Sequence, residues 1–398
     1  MQPECLARDD ALDLQLLYFT STSLSADGRS LVAIGQKEGI PNLYKIDLET
    51  RALLQLTRNS ESWLRSYVYF DGTPYRGFGK ASVSFDAERG VLYFIQGREI
   101  RAVDLEGHER VLAQLPDGQV TGFTHVSADG LLLCVPTTDE AAFTEDEAWA
   151  EKHRGIDARV QRLGLKSYLR VYSTQTGAEV ACETVFRAWV THVQFSPTDP
   201  GKILYNHEWP SDCGIRRVWL WDGSRHIRLR EEGPGRSRQD WTCHEMWERD
   251  GRAVIYHGLY EDGRAYIGRA RFDGSEPSEI RLPQSWVRYG HFSVGPDESV
   301  LVSDGYYQGG PEDRDLNSPW ISRLDVDWAG GTVRWHVLGR SDSSWDSQDS
   351  HPHPIMDAEG KYVYFTSDKD GRRAIYRLPA GQVTALEEVQ FGGGFSPV

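Results

Sequence analysis

A short unit recurs along this chain, and it restricts the fold more than any other feature. It consists of a turn of the Ser-x-Asp-Gly kind, a brief apolar segment, a loop, a second segment, a turn and a third segment. Copies begin at SADGRSLVAIG (Ser25), SFDAERGVLYFIQ (Ser84), SADGLLLCVPTT (Ser127), FSPTDPGKILYN (Phe195), ERDGRAVIYHGL (Glu248), GPDESVLVSDG (Gly295) and DAEGKYVYFTS (Asp357). Each segment is rich in β-branched and aromatic residues and bounded by Asp-Gly or similar turns, which is how hairpin strands are written. The copies recur at roughly 40- to 70-residue intervals, a period that suits a four-stranded propeller blade with or without an insertion. Seven such sheets in radial array close on themselves and leave few edges exposed. The expected fold is therefore all-β, a seven-bladed β-propeller formed by residues 1–398 as a single domain. A linear β-solenoid or a pair of sandwiches is the competing arrangement. The opening strand, near LQLLYFTSTSL, is expected innermost in blade one. Ring closure falls either to residues 1–15 or to the tail after Leu378. Two insertions interrupt the pattern. One is a helical stretch at 139–163, rich in Ala, Glu, Lys and Arg, and the other is an aromatic and arginine-rich stretch at 60–80.

The 398 residues alone would suggest two or three domains, but repeats make long single units. A net charge of −15 speaks against nucleic acid as a partner, since phosphate binding needs a basic footprint. An anionic substrate then requires a local basic or metal-bearing pocket. The five cysteines are scattered, odd in number and free of any Cys-x-x-Cys, which suits a reducing compartment rather than a disulfide framework. The N-terminal stretch lacks an apolar signal-like core, and no run approaches the roughly 18 apolar residues of a spanning helix. The expectation is a cytoplasmic protein without membrane or nucleic-acid partners, its oligomeric state left open. Thirteen tryptophans and 18 tyrosines suit either β cores or sugar-binding surfaces.

Histidines fall in register. His125, His192, His244 and His291 each lie just before the Asp-containing turn of their copy, and His351 and His353 hold that place in the seventh. In a propeller the strand leading into that turn lines the axis, so several blades aim imidazoles at one cavity. His108, His226, His257 and His336 fall elsewhere and read as ordinary. The stretch Gln-Asp-Ser-His-Pro-His-Pro, from Gln348, is the densest donor cluster. In extended geometry residues i and i+2 share a face, so His351 and His353 converge, and the prolines restrict the backbone around them. Imidazoles with one carboxamide suit a borderline divalent transition metal without choosing among Mn, Fe, Co, Ni and Zn.

Five segments carry a family resemblance: HVQFSPTDPGKILYNHEWP followed by RRVWLW, TCHEMWERDGRAVIY, GHFSVGPDESVLVSDG, QDSHPHP and YVYFTSDKDGRRAIYRL. They resemble the oligogalacturonate lyases, seven-bladed propeller polysaccharide lyases. The likeness runs from about Tyr18 and is loosest at 60–80 and 135–165. Its ordered Cys-His-Glu, Gly-His and Gln-x-x-His-Pro-His-Pro set is specific, whereas the Asp-Gly turns are shared with propellers of the TolB type. The resemblance implies that His291, Gln348, His351 and His353 hold a divalent metal, usually manganese. It implies that His244 is the catalytic base and that Arg217 contacts the substrate. The chain departs from the pattern in WPSDCGIR, which sets Arg216 beside Arg217, and in a longer 60–80 insertion. His125, His192 and His207 are candidate contacts to an anionic oligosaccharide. His207 and Glu208 also read as a plain inter-blade pair. The implied reaction is β-elimination across a 4-linked uronate, giving a 4,5-unsaturated or 4-deoxy-5-keto product. The same chemistry on another uronate oligosaccharide, or a non-catalytic binding propeller, are the competing readings.

Overall fold

The computed structural model describes residues 2–9, 11–60, 82–143, 149–208, 217–230, 241–282, 290–304, 320–381, 389–392 and 395–396. The aromatic insertion, apart from its first residue, and Arg216 lie outside them. The chain forms a seven-bladed β-propeller, and each blade is an antiparallel sheet of strands consecutive in sequence, with a strand from near one end of the chain added at the edge of blades five, six and seven. The inner strands of blades one, two and three are Asp13–Gln15, Ser84–Asp86 and Gln119–Thr121, the last joined by His125–Val126. Those of blades four to seven are Val193–Phe195, Trp241–Trp247, Phe292–Val294 and Ile355–Met356. The expected innermost strand of blade one is thus Asp13–Gln15, and Leu24, at the far end of the same stretch, bridges to Leu31.

The recurring turn has a local cause. Asp27 accepts the Ser25 hydroxyl at 2.6 Å and the Arg29 amide at 3.0 Å, while Gly28 takes φ +66°, open to glycine without steric cost. Ser127, Asp129 and Gly130 (φ +68°) repeat this geometry in blade three. The turns return the chain so that alternate side chains face the next blade. The core is accordingly a set of layers between blades. Leu17, Val32, Ile34 and Leu43 of blade one pack on Phe85, Leu92 and Phe94 of blade two, and Ile255 and Ile267 of blade five pack on Phe292, Leu301 and Leu324 of blade six.

Ring closure is made by the N-terminal side. Glu4–Ala7 pairs with Ala374–Pro379 as the outermost strand of blade seven, and Glu4 receives Arg377 at 2.6 Å. The tail adds outer strands elsewhere: Val389–Gly392 to blade six and Phe395–Ser396 to blade five.

The helical insertion is shorter than expected. Asp139 still ends the strand Leu132–Asp139, a 3-10 turn follows at Glu140–Ala142, and the α-helix spans Trp149–Leu163. Asp139 is held there because its carboxylate accepts the Lys166 amide at 2.9 Å. Ile156 and Val160, one helical turn apart, bury themselves against Tyr18, Phe19, Phe123 and Trp189. The insertion therefore packs onto the aromatic cluster near the axis. Among the described residues no helix is long and apolar enough to cross a membrane.

Candidate functional site

Three imidazoles from two adjacent blades meet at one point. His291 enters from blade six, and His351 and His353 from the segment leading into blade seven. Each offers a ring nitrogen, and these nitrogens lie within 4.8 Å of one another. The His291 and His353 ring centres are 3.9 Å apart. The convergence does not arise from strand alternation. Gln348–Ser350 is a 3-10 turn, His351 has φ −65° and ψ 135°, and His353 is left-handed at φ +45°. The expected i, i+2 strand geometry is replaced by a kinked Pro-flanked segment, because His353 must turn its amide toward Asp304. The side chain of Gln348 lies outside the described residues.

Asp304 organises this cluster. Fully buried, it accepts the His291 amide at 2.6 Å, the His291 Nδ1 at 3.1 Å and the His353 amide at 3.1 Å. A carboxylate on Nδ1–H directs Nε2 of His291 toward a metal, a pairing common to metal-binding histidines. The preceding loop is pinned as well. Asp368 accepts the Ser344 amide at 2.7 Å and the Ser344 hydroxyl at 2.5 Å, and Arg373 pairs with Asp349 at 3.2 Å. Half-buried Trp345, at φ +59°, lays its ring 4.5 Å from that of His351.

His244 stands beside this group, its ring centre 4.5 Å from that of His291. It is the extra residue of a β-bulge, since Cys243 pairs with His257 and Glu245 with Tyr256, and its φ is +45°. Its Nδ1 lies 3.1 Å from His257 Nε2 and 3.1 Å from the Gly290 carbonyl. Burial, then the charges of His291, His257, Arg217 and His192, hold its pKa well below the ordinary imidazole value. It therefore stays neutral near pH 7.

Behind His244 is a buried polar knot. Arg217 donates from Nε to Glu245 at 3.1 Å, from Nη1 to the Cys243 sulfur at 3.2 Å and from Nη2 to His192 Nδ1 at 3.0 Å. Glu208 lies 3.5 Å from the same guanidinium. A guanidinium can only donate, so His192 Nδ1 accepts and its proton sits on Nε2. The longer 3.5 Å approach of Glu245 to the same nitrogen does not reverse this. Burial and the Arg217 charge lower the His192 pKa against the pull of Glu245 and Glu208. Burial also pushes the Cys243 thiol up to about 12, so it remains protonated. Arg217 is thus engaged on several sides within blades four and five.

Two sequence candidates lie apart from this group. His125 accepts the Phe195 amide on Nδ1 at 3.2 Å and bonds the Thr20 backbone, tying neighbouring blades together. His207 packs within blade four, its ring 5.2 Å from Trp219 and 5.8 Å from Tyr205. The inter-blade pairing expected of His207 and Glu208 divides: Glu208 joins the Arg217 knot, and His207 joins the aromatics.

Other residues complete the site without having stood out in the sequence. Tyr18 packs against Phe123, His192, His291 and His353, and Phe19 against His244 and His291. His257 sits on the second strand of blade five and Asp304 directly after that of blade six, whereas the histidine register follows only the first strands. Counting outward from the Asp250-Gly251 turn would have set His257 opposite His244, and the bulge then moves it opposite Cys243, beside His244.

Comparison with known proteins places these features in context. A sequence profile of the oligogalacturonate lyases matches residues 12–382. An oligogalacturonide lyase of Pectobacterium atrosepticum is 27% identical, over 90% of this chain and 88% of its own. An oligogalacturonate lyase of Dickeya dadantii is 26% identical with the same coverage. Among solved structures, an oligogalacturonate lyase in complex with manganese superposes with a TM-score of 0.74 at 23% identity, covering 95% of this chain and 93% of its own. A second, from Vibrio parahaemolyticus, gives 0.73 at 22%, covering 94% and 92%.

Proposed function

This chain belongs to the oligogalacturonate lyase family, and on that premise we propose that it cleaves short oligogalacturonides by β-elimination. The observation that carries the reading is the meeting of His291, His351 and His353 beside a buried neutral His244. Three imidazoles on two blades, one backed by a carboxylate, fit a divalent transition ion. Gln348 is our candidate for a further donor, and Mn2+ our choice of ion, because a structural relative is a manganese complex. A divalent ion held by His291, His351 and His353 would neutralise the uronate carboxylate and supply Lewis-acid stabilisation of the negative charge that builds up as the C5 proton departs.

The chain's own groups do the rest. His244 accepts the C5 proton on a neutral ring nitrogen. The C5–H electron pair becomes the C4=C5 bond. The C4–O bond breaks with its pair on the glycosidic oxygen, which is protonated from solvent. The product is a 4,5-unsaturated uronate, able to rearrange to the 4-deoxy-5-keto form. His192, with its proton on Nε2, can donate to a sugar oxygen. We assign Arg217 to holding His192 and Glu245 in place, since Glu245, Cys243, His192 and Glu208 already surround its guanidinium. The free cysteines Cys5, Cys134, Cys182 and Cys243 suit a reducing compartment, so we read the substrates as short fragments inside the cell.

The test is ultraviolet absorbance of the unsaturated product across oligogalacturonides and other uronides, with Mn2+ and with chelator. Activity should be highest on short oligogalacturonides and lost on chelation. His244→Ala should lower kcat by about 10²–10⁴-fold. Near wild-type rates for that variant, or full activity with chelator, would overturn the reading.

A further inference from the structure

We propose that His257 is a positioning residue that sets the tautomer and ring plane of His244. The inference rests on the reading of His244 as base. Three neighbouring blades place a polar side chain at one equivalent cross-strand position, opposite the axial histidine. Asn206 stands there in blade four and Asp304 in blade six, each donating its amide to the carbonyl of the histidine opposite, and in blade five His257 holds the place, shifted by the bulge to face Cys243. In blades four and six the contact goes to the backbone: Asn206 accepts the His192 amide at 2.7 Å and Asp304 the His291 amide at 2.6 Å. In blade five the bulge moves His244 out of step, and His257 meets its imidazole instead.

That difference matters because His244 Nδ1 also faces the Gly290 carbonyl, which can only accept. Two proton arrangements satisfy the three atoms. In one, His244 carries its proton on Nδ1 and shares it between Gly290 and a lone pair on His257 Nε2. This leaves the lone pair of His244 on Nε2, ready to take a proton. In the other, His257 carries the proton on Nε2 and donates it to both His244 Nδ1 and Gly290. His244 then holds its own proton on Nε2 and cannot serve as base there. The proton position on His257 therefore decides whether His244 is competent. His257 is itself fixed. It is buried, its ring meets Phe292 edge-on at 5.4 Å, and it borders a cavity of about 20 Å³ otherwise walled by Ile267, Gly290, Phe292, Leu301, Ser303 and Leu324.

The experiment compares His257→Leu, His257→Gln and His244→Ala on digalacturonate at saturating Mn2+, with Mn2+ affinity measured separately by calorimetry. Leucine fills the space but cannot hold the tautomer, so kcat should fall about 10- to 100-fold, with KM and Mn2+ affinity unchanged. Glutamine places an amide near the lost Nε2 and should recover most of kcat. The inference is overturned if His257→Leu keeps wild-type kcat, if KM rises and metal affinity falls together with kcat, or if glutamine does no better than leucine. An active His244→Ala would instead remove the base assignment and the inference with it. An inactive His244→Ala beside an unimpaired His257→Leu would remove the inference alone.

Discussion

His244 and His353 share a backbone conformation that histidine seldom adopts, each at φ +45°, and Trp345 joins them at +59°. Such residues cost on the order of 1–3 kcal/mol each and persist only where their surroundings hold them. Here a bulge holds His244, and Asp304 takes the amide of His353. The sequence indicated most of the histidines that meet, since the register of the repeat is a property of residue order, but it also included His125 and passed over His257. The bends that aim them were not legible, because left-handed non-glycine residues leave no compositional mark. His207 shows the converse, a histidine in the right neighbourhood with a packing environment. Burial, then the charges of His226 and Arg228, pull its pKa down to about 3. Its folded value lies below the unfolded one, so as pH falls the unfolded chain binds the proton first. Its contribution to stability is complete above about pH 6.5 and drains by about 1.4 kcal/mol per unit as pH falls toward 3. Urea midpoints between pH 7 and 5 should show a shallower acid slope for His207→Leu than for the parent. An unchanged slope would refute the assignment.

Cross-strand pairing within a blade does for the site what the axial strand alone does not. Asp304 is the clearest case, one carboxylate spanning the amides of His291 on blade six and His353 on the way into blade seven. Asp304→Asn keeps the shape but turns an amide donor toward N–H groups, so Mn2+ affinity should fall about 10- to 100-fold. Calorimetry on the metal-free protein measures it, and an unchanged affinity would show that Asp304 is only a packing residue. Its Ser-Asp-Gly setting resembles the turn motifs elsewhere in the chain, which hid it. Its place opposite His291 follows once the hairpin is paired residue by residue. The helix shows the same limit: composition gave its existence, but Asp139 is kept in its strand by a bond to Lys166, which is remote in sequence.

Across the whole molecule, stability resides in the layers between blades, so each blade leans on two neighbours. The number of blades was legible because each copy is a local hairpin array. Closure was not, because the strand that completes blade seven lies 373 residues from its partner, as the Glu4–Arg377 contact shows. Leu6 is the buried anchor of that strand, packed among residues of blades one and seven. Leu6→Ala should cost about 2–3 kcal/mol as a lowered urea midpoint, while the rate on substrate at 25 °C stays that of the parent. A midpoint shift below about 0.5 kcal/mol would mean that closure contributes little. The pairing of Glu4–Ala7 with Ala374–Pro379 also dictates an order of events during synthesis. The segment that seals the ring leaves the ribosome well before its partner strand and must wait for the blades made between them. His351 and His353 emerge late, just before the strands that this segment completes. The cluster of His291, His351 and His353 therefore comes together only once the first six blades have been made.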